Sequence, residues 1–147
     1  MLHSISKGED LKPKNNIART NFENLRVYQL AEKLADAVWD VVRTWDALPR
    51  DTVGRQLVRA ADSIVANIAE GSGRGSHDDY RRFLRIARGS LYETQHWLRR
   101  AFRRKLLVSE QIDSLKKFVD QLGPALNAYL RSIGRKCSQI QTQESKT

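Results

Sequence analysis

The sequence contains few residues that cross-link a small fold or break a helix. Its 147 residues include one cysteine, Cys137, three prolines and one methionine. A single cysteine excludes an internal disulfide and a multi-cysteine zinc site, and this is typical of a reducing compartment. No apolar run approaches the roughly 18 residues that a membrane-spanning helix needs, and residues 1–10 lack the apolar segment of a signal peptide. These absences predict a cytoplasmic protein.

Positive charge is present in excess and is unevenly distributed. The formal net charge is +9. Residues 76–108 contain nine basic and three acidic residues, and therefore carry +6 of that charge. A concentration of this kind in one segment predicts a surface that faces a polyanion.

Apolar residues recur at spacings of three and four along four segments, which indicates four amphipathic helices. Helix 1 is predicted from Phe22 or Asn24 to Ala47, with Pro49 marking its end. Asp51 or Thr52 is predicted to cap helix 2. The glycines at positions 71, 73 and 75 are predicted to end that helix.

Helix 3 is predicted to begin after the capping residue Ser76 and to end near Leu106, and Ser109 is predicted to cap helix 4. The predicted inward faces of the first two helices are Val27, Ala31, Leu34, Val38, Val41 and Trp45, and Val53, Leu57, Ala60, Ile64 and Ile68. Those of the last two are Tyr80, Phe83, Leu84, Ala87, Leu91, Thr94, Leu98, Ala101 and Phe102, and Ile112, Leu115, Val119, Leu122, Leu126, Tyr129 and Ile133.

Four helices joined by short connections predict an all-α, antiparallel up-down-up-down four-helix bundle. The bundle is expected to span residues 21–134, between a disordered arm at 1–20 and a disordered tail at 135–147. Gly123 and Pro124 lie inside the pattern of helix 4. Because proline removes a backbone donor and crowds the preceding turn, a kink is predicted there.

The basic residues of helix 3 form two adjacent strips on its outer face. On a helical wheel the first strip falls within about 40°. It consists of Arg81, Arg85, Arg88, Arg99 and Arg103, and the second strip consists of Arg82, Arg100 and Arg104. Guanidinium groups donate hydrogen bonds in a planar fork that suits phosphate, so these eight arginines are the candidate nucleic-acid contacts.

A second interpretation of the strips is ion pairing with a neighbouring helix or subunit. Helix 1 supplies the acidic residues that such pairing would need: Glu32, Asp36, Asp40 and Asp46. The pattern of charges favours neither interpretation over the other.

Ser63, Asn67, Glu70 and Gly71 lie at helical spacing near the end of helix 2. A catalytic serine would need a histidine base, and helix 2 contains none. These residues are therefore predicted to have a structural or assembly role, with bonds across helices or a subunit boundary. Trp39 lies beside the central apolar stripe and is a candidate anchor for an oligomer.

No residue set points to catalysis, a cofactor or a metal. Glu93 and His96 have the spacing of a di-iron helix, but such a site needs a second Glu-x-x-His motif and two further glutamates. The sequence has no second motif of this kind. The protein is therefore predicted to be non-enzymatic, without cofactor or metal and without a small-molecule substrate.

Several segments, in order, resemble one family. They are LRVYQLA at 25–31, GRQLVRAADSI at 54–64, ANIAEG at 66–71, FL at 83–84 and IARGSLYE at 86–93. They resemble the small four-helix-bundle proteins encoded in intervening sequences of bacterial 23S ribosomal RNA genes. The resemblance implies a closed bundle and, as in several members, a homopentameric ring.

A related branch comprises the accessory proteins of diversity-generating retroelements, which are basic, pentameric and bind nucleic acid and a reverse transcriptase. Together with the arginine strips, the resemblance leads us to expect an oligomer that binds nucleic acid, with RNA as the favoured ligand. The alternative is a protein-interaction scaffold, for example the partner of a polymerase or reverse transcriptase, with no direct role in nucleic-acid binding.

Overall fold

The computed structural model describes residues 22–146, without the side chains of Asn24 and Cys137. The predicted arm at residues 1–20 lies outside the described residues. Within 22–146 the chain is helical and contains no strand. No helix in this range is long and apolar enough to cross a membrane.

Four long helices form the molecule, as the apolar spacing predicts. They are α1 (Arg26–Val42), α2 (Arg55–Ser72), α3 (His77–Arg103) and α4 (Ser109–Glu144). Three short helical turns precede α1 or connect α1 to α2: Phe22–Asn24, Ala47–Pro49 and Arg50–Gly54.

Each helix packs against two others. α1 contacts α2 and α4, and α3 contacts α2 and α4, so the four helices enclose one core. Residues late in α2 meet residues early in α3, because Gly71 lies against Tyr80 while Ser63 bonds to Ser90. α3 and α4 are also antiparallel, because Arg81 lies against Gly134 while Leu91 lies against Gly123. The predicted all-α bundle is thus confirmed.

The core contains nearly all the residues that the spacing places inward. The predicted positions of α1 and α2, and Trp45 and Val53 next to them, are all buried. Phe102 is the exception on α3, since 57% of its surface is exposed. Its neighbour Ala101 is fully buried and occupies the inward position near the end of the helix.

The junction between α1 and α2 differs from the prediction. α1 ends at Val42 rather than Ala47, and Pro49 lies in a helical turn instead of ending one. Neither Asp51 nor Thr52 caps α2. The Thr52 hydroxyl donates to the carbonyl of Leu48 at 2.6 Å, because a π-helical turn already runs into α2.

The two ends of α3 show one confirmed and one corrected boundary. Ser76 caps its start, accepting a hydrogen bond from the backbone of Asp79 at 3.2 Å. The helix ends at Arg103, before Leu106, because Lys105 adopts the left-handed conformation with φ of 59°. That conformation ends a helix even where no glycine is present.

The start of α4 is capped differently from the prediction. Val108 is the capping residue and Ser109 is the first helical residue. The side chain of Gln111 reaches back and accepts a hydrogen bond from the Val108 amide at 3.0 Å. Gln111 therefore satisfies the amide of Val108, whereas a capping Ser109 would have accepted from an amide inside the first helical turn.

α4 continues far beyond the predicted end of the bundle. The helix is unbroken at Pro124 and extends to Glu144. The predicted kink at Gly123 and Pro124 stays a prediction. Residues 135–144, predicted to be disordered, are therefore helical in the structure. The stretch contains neither glycine nor proline, and the hydroxyls of Ser138 and Thr142 donate to carbonyls one turn earlier.

Candidate nucleic-acid interface

The arginines of α3 lie on its outer surface, as predicted, but their surroundings differ. Arg82 is ion-paired with Asp79, with 3.0 Å between its Nη2 and the carboxylate Oδ1, and its guanidinium lies 4.7 Å from the ring centre of Phe83. Arg81 has a weaker pair with Asp78, at 3.9 Å. Within residues 22–146 the other six have no ion pair: Arg85, Arg88, Arg99, Arg100, Arg103 and Arg104.

The acidic residues of the predicted helix 1 do not neutralise these strips. Asp40 pairs with Arg43 on its own helix, with 3.2 Å between Oδ1 and Nε. Among the described residues, neither Glu32, Asp36 nor Asp46 forms an ion pair. Pairing within one chain therefore does not account for the excess of positive charge on α3.

α3 and α4 form a groove that brings five arginines together. We call it the arginine groove, with a volume of about 730 Å³. Its lining residues are Arg81, Arg85, Arg88, Leu130, Arg131, Gly134, Arg135, Ser138 and Gln139. None of these residues is acidic, so the groove is a concentrated site of positive potential.

Arg131 and Arg135 were not among the predicted site residues. They lie one helical turn apart on α4, so they share a face of that helix. This i, i+4 pair was the available signal in the sequence. Its importance depends on packing, because only the contact between α3 and α4 places these arginines opposite those of α3.

Contacts within the groove hold part of the arginine cluster in place. Arg88 Nη1 donates to the side-chain oxygen of Asn127 on α4 at 3.4 Å. The guanidinium of Arg81 packs over Gly134, where an added Cβ would lie 3.5 Å from the arginine Cζ. Arg81 Nε is buried and has no hydrogen-bond partner among the described residues. The groove therefore contains one buried donor, Arg81 Nε, that makes no hydrogen bond within the described part of the chain.

The predicted strips do not form one continuous site. Arg99 lies instead beside a cleft of about 540 Å³ at the other end of α3, together with the exposed Phe102. Arg100, Arg103 and Arg104 line neither the arginine groove nor this cleft. The structure thus brings together three of the eight predicted arginines and adds two from α4.

The polar side chains of Ser63, Asn67 and Glu70 on α2 form hydrogen bonds or ion pairs, both between helices and within α2. The hydroxyls of Ser63 and Ser90 are 2.9 Å apart, which links α2 to α3. The side-chain amide of Asn67 donates to the Ser63 carbonyl at 2.8 Å. Glu70 pairs with Arg74 one turn later. The contacts of Ser63 are with hydroxyl and amide groups, which cannot act as the base that catalysis would require.

Gly71 occupies the closest approach between α2 and α3. A Cβ at this position would lie 2.8 Å from Cδ2 of Tyr80 and 2.9 Å from Cβ of Phe83. The Tyr80 hydroxyl in turn lies 2.6 Å from that of Tyr129 on α4. Burial first, and then this hydrogen bond, raise the pKa of Tyr80 far above its ordinary value. Three helices therefore meet here through neutral side chains.

The Glu-x-x-His pair of α3 has other contacts. The carboxylate of Glu93 accepts a hydrogen bond from Trp97 Nε1 at 3.3 Å, and the ring of His96 packs edge-on against Trp97 at 4.9 Å. Among residues 22–146, no group of three His, Cys, Asp or Glu residues could hold a metal ion.

Comparison with known proteins places the chain in a family. The profile of the 23S rRNA-intervening sequence proteins matches residues 23–128. The chain belongs to this family. The matched range includes Arg81, Arg85 and Arg88 but ends before Arg131 and Arg135. The α4 side of the arginine groove therefore lies outside the matched residues.

A solved structure shares the fold of this intervening-sequence protein. It is the 1.70 Å crystal structure of a protein of unknown function from the S23 ribosomal protein family of Bacteroides thetaiotaomicron VPI-5482. The TM-score is 0.64 and the sequence identity is 23%, over 71% of this chain and 97% of that chain. No curated protein matches this chain.

Proposed function

We propose that this protein is a non-enzymatic, oligomeric nucleic-acid-binding protein and that the arginine groove is its main contact. The observation that carries the proposal is the convergence of five arginines from α3 and α4 on a groove lined by no acidic residue. Arginine binds phosphate oxygens bidentately, and phosphate contacts supply most sequence-independent affinity for nucleic acid. The family name refers to intervening sequences of 23S rRNA, and structured RNA is therefore the favoured ligand.

The surface also supports assembly with other copies of the chain. Trp39 and Leu48 are 59% and 77% exposed near the junction of α1 and α2. Phe102 and Val108 are 57% and 60% exposed near the junction of α3 and α4. A closed ring requires two different surfaces that complement each other. The exposed apolar side chains at these two junctions, which we call the two apolar patches, are candidates for the two faces of such a head-to-tail contact. We propose a ring, with a pentamer favoured.

The nucleic-acid proposal is tested by removing groove charge without touching the core. The variant Arg85→Gln/Arg88→Gln/Arg131→Gln should bind a labelled RNA hairpin at least about tenfold more weakly in fluorescence anisotropy at low salt. The slope of log Kd against log salt should fall by about two to three, since each lost phosphate contact contributes about 0.7–0.9.

The matched control removes the same charge elsewhere. Arg26, Lys33 and Lys117 are exposed, make no ion pair among the described residues and lie outside the groove. The variant Arg26→Gln/Lys33→Gln/Lys117→Gln should keep most of the wild-type affinity. Equal losses in both variants would indicate a general charge effect, and unchanged binding by the groove variant would contradict the proposal.

A further inference from the structure

The arginine groove is short for a site that follows a nucleic-acid backbone. Arg81 and Arg88 are seven residues apart, which corresponds to about 10 Å along α3. Arg131 and Arg135 face them over a single turn of α4. Five positive charges are therefore confined to a length over which one duplex strand presents about three singly charged phosphates.

The spacing of packed helices also favours a small ligand. Helices that pack against each other have axes about 8–10 Å apart. A duplex rests across such a groove and does not enter it. A phosphoryl group at the end of a chain has no second ester neighbour and is small enough to enter. It also offers three acceptor oxygens and up to two negative charges, where an internal diester carries one charge.

Arg81 is the residue that such a group would engage most directly. Its Nε lies buried against Gly134 without an acceptor, and its contact with Asp78 is long, at 3.9 Å. Gly134 has no side chain that would block rotation of the guanidinium, and such a rotation would turn Nε and the adjacent Nη together toward an anion in the groove. The planar fork of arginine then matches two phosphoryl oxygens.

We propose that the arginine groove is a site for a compact, multiply charged phosphoryl group, held by the Arg81 fork and the four surrounding arginines. The same chemistry occurs at the 5′ end of an RNA that carries a triphosphate and in a free oligophosphate. An RNA end as the ligand rests on the proposed function, whereas a free oligophosphate as the ligand does not.

The test measures inorganic tripolyphosphate by isothermal titration calorimetry with the full chain. The variant Arg81→Lys keeps the charge but loses the fork, and should bind tripolyphosphate at least about tenfold more weakly than wild type. The control Arg82→Lys changes an arginine of the same helix that lies outside the groove and pairs with Asp79. It should bind as wild type does. Circular dichroism melting confirms that both variants are folded.

Two RNAs of one sequence, with a 5′-triphosphate or a 5′-hydroxyl, separate the sources. Preference of wild type for the triphosphate RNA, lost in Arg81→Lys, would identify the RNA end as the ligand. Tripolyphosphate binding that depends on Arg81, with equal affinity for both RNAs, would identify a free oligophosphate.

Absence of tripolyphosphate binding together with equal affinity for both RNAs would overturn the inference, as would an Arg81→Lys variant that binds as wild type does. The proposed function would survive that result if both RNAs still depended on Arg85, Arg88 and Arg131. The proposed function itself would fail if the affinity for 5′-hydroxyl RNA were unchanged by loss of these three arginines.

Discussion

Asp62 on α2 lies near Asp36 on α1, and the two carboxylates repel one another. Partial burial first, and then this like charge, raise the pKa of Asp62 above its ordinary value. The folded protein therefore holds the Asp62 proton more tightly than the unfolded chain does. The contribution of Asp62 to the free energy of unfolding is therefore greatest below pH 3.8, the ordinary pKa of aspartate. This contribution is lost as the pH rises through the raised pKa of the folded protein.

Replacement of Asp62 by asparagine should remove this repulsion. We expect Asp62→Asn to raise the melting temperature at pH 7, and the gain should vanish near pH 3, where the wild-type carboxyl is protonated. Thermal denaturation followed by circular dichroism at both pH values measures the difference. The control Asp40→Asn removes a carboxylate that is paired with Arg43 and should give no gain. An equal gain for Asp62→Asn at both pH values would contradict the electrostatic cause.

At the scale of helices, Gly71 determines how closely α3 can approach α2. An alanine at this position would place its Cβ 2.8 Å from Tyr80 and 2.9 Å from Phe83, distances that require one helix to move. We expect Gly71→Ala to lower the free energy of unfolding by about 1–3 kcal/mol, as overpacking does. Urea denaturation measures this change.

Gly89 provides the control for this prediction. It lies inside α3, is exposed, and an added Cβ would meet nothing within 4 Å. Gly89→Ala should therefore stabilise the protein by about 0.5–1 kcal/mol, because alanine is the better helix former. A stabilising Gly71→Ala would contradict the packing argument, because helix propensity would then outweigh the close contact at Gly71.

Helix faces could be predicted from the sequence, whereas several boundaries could not. The inward positions follow from a period of 3.6 residues, which is local. The ends depend on individual capping groups, and similar candidates lie within a few residues of one another. At α4, the helix begins one residue earlier than predicted, and the side chain of Gln111 accepts a hydrogen bond from the Val108 amide. At α3, Lys105 adopts a conformation usually left to glycine.

At the scale of the whole molecule, the two apolar patches predict a head-to-tail contact between copies. Trp39→Ala and Phe102→Ala each remove one patch at an exposed position. We expect each variant alone to be a folded monomer in light scattering. An equimolar mixture should give a dimer, because each variant keeps the patch that the other lacks.

Other outcomes distinguish the possible contacts. If Trp39→Ala is monomeric, Phe102→Ala keeps the wild-type mass and the mixture forms no mixed dimer, the contact is a symmetric one through Trp39. If both variants keep the mass of the wild type, neither patch forms the interface and the ring proposal loses its structural support.

The sequence by itself determined the four helices, their inward faces and the excess of positive charge on α3, because helical periodicity and composition are properties of neighbouring residues. Only the tertiary structure decided which arginines act together. Arg81 and Arg135 are far apart along the chain, and they line one groove because α4 packs antiparallel to α3. Arg99 and Arg103, on the same predicted strip, lie outside that groove. The same antiparallel packing places Arg99 beside the early part of α4, which supplies Lys116 and Asp120 there.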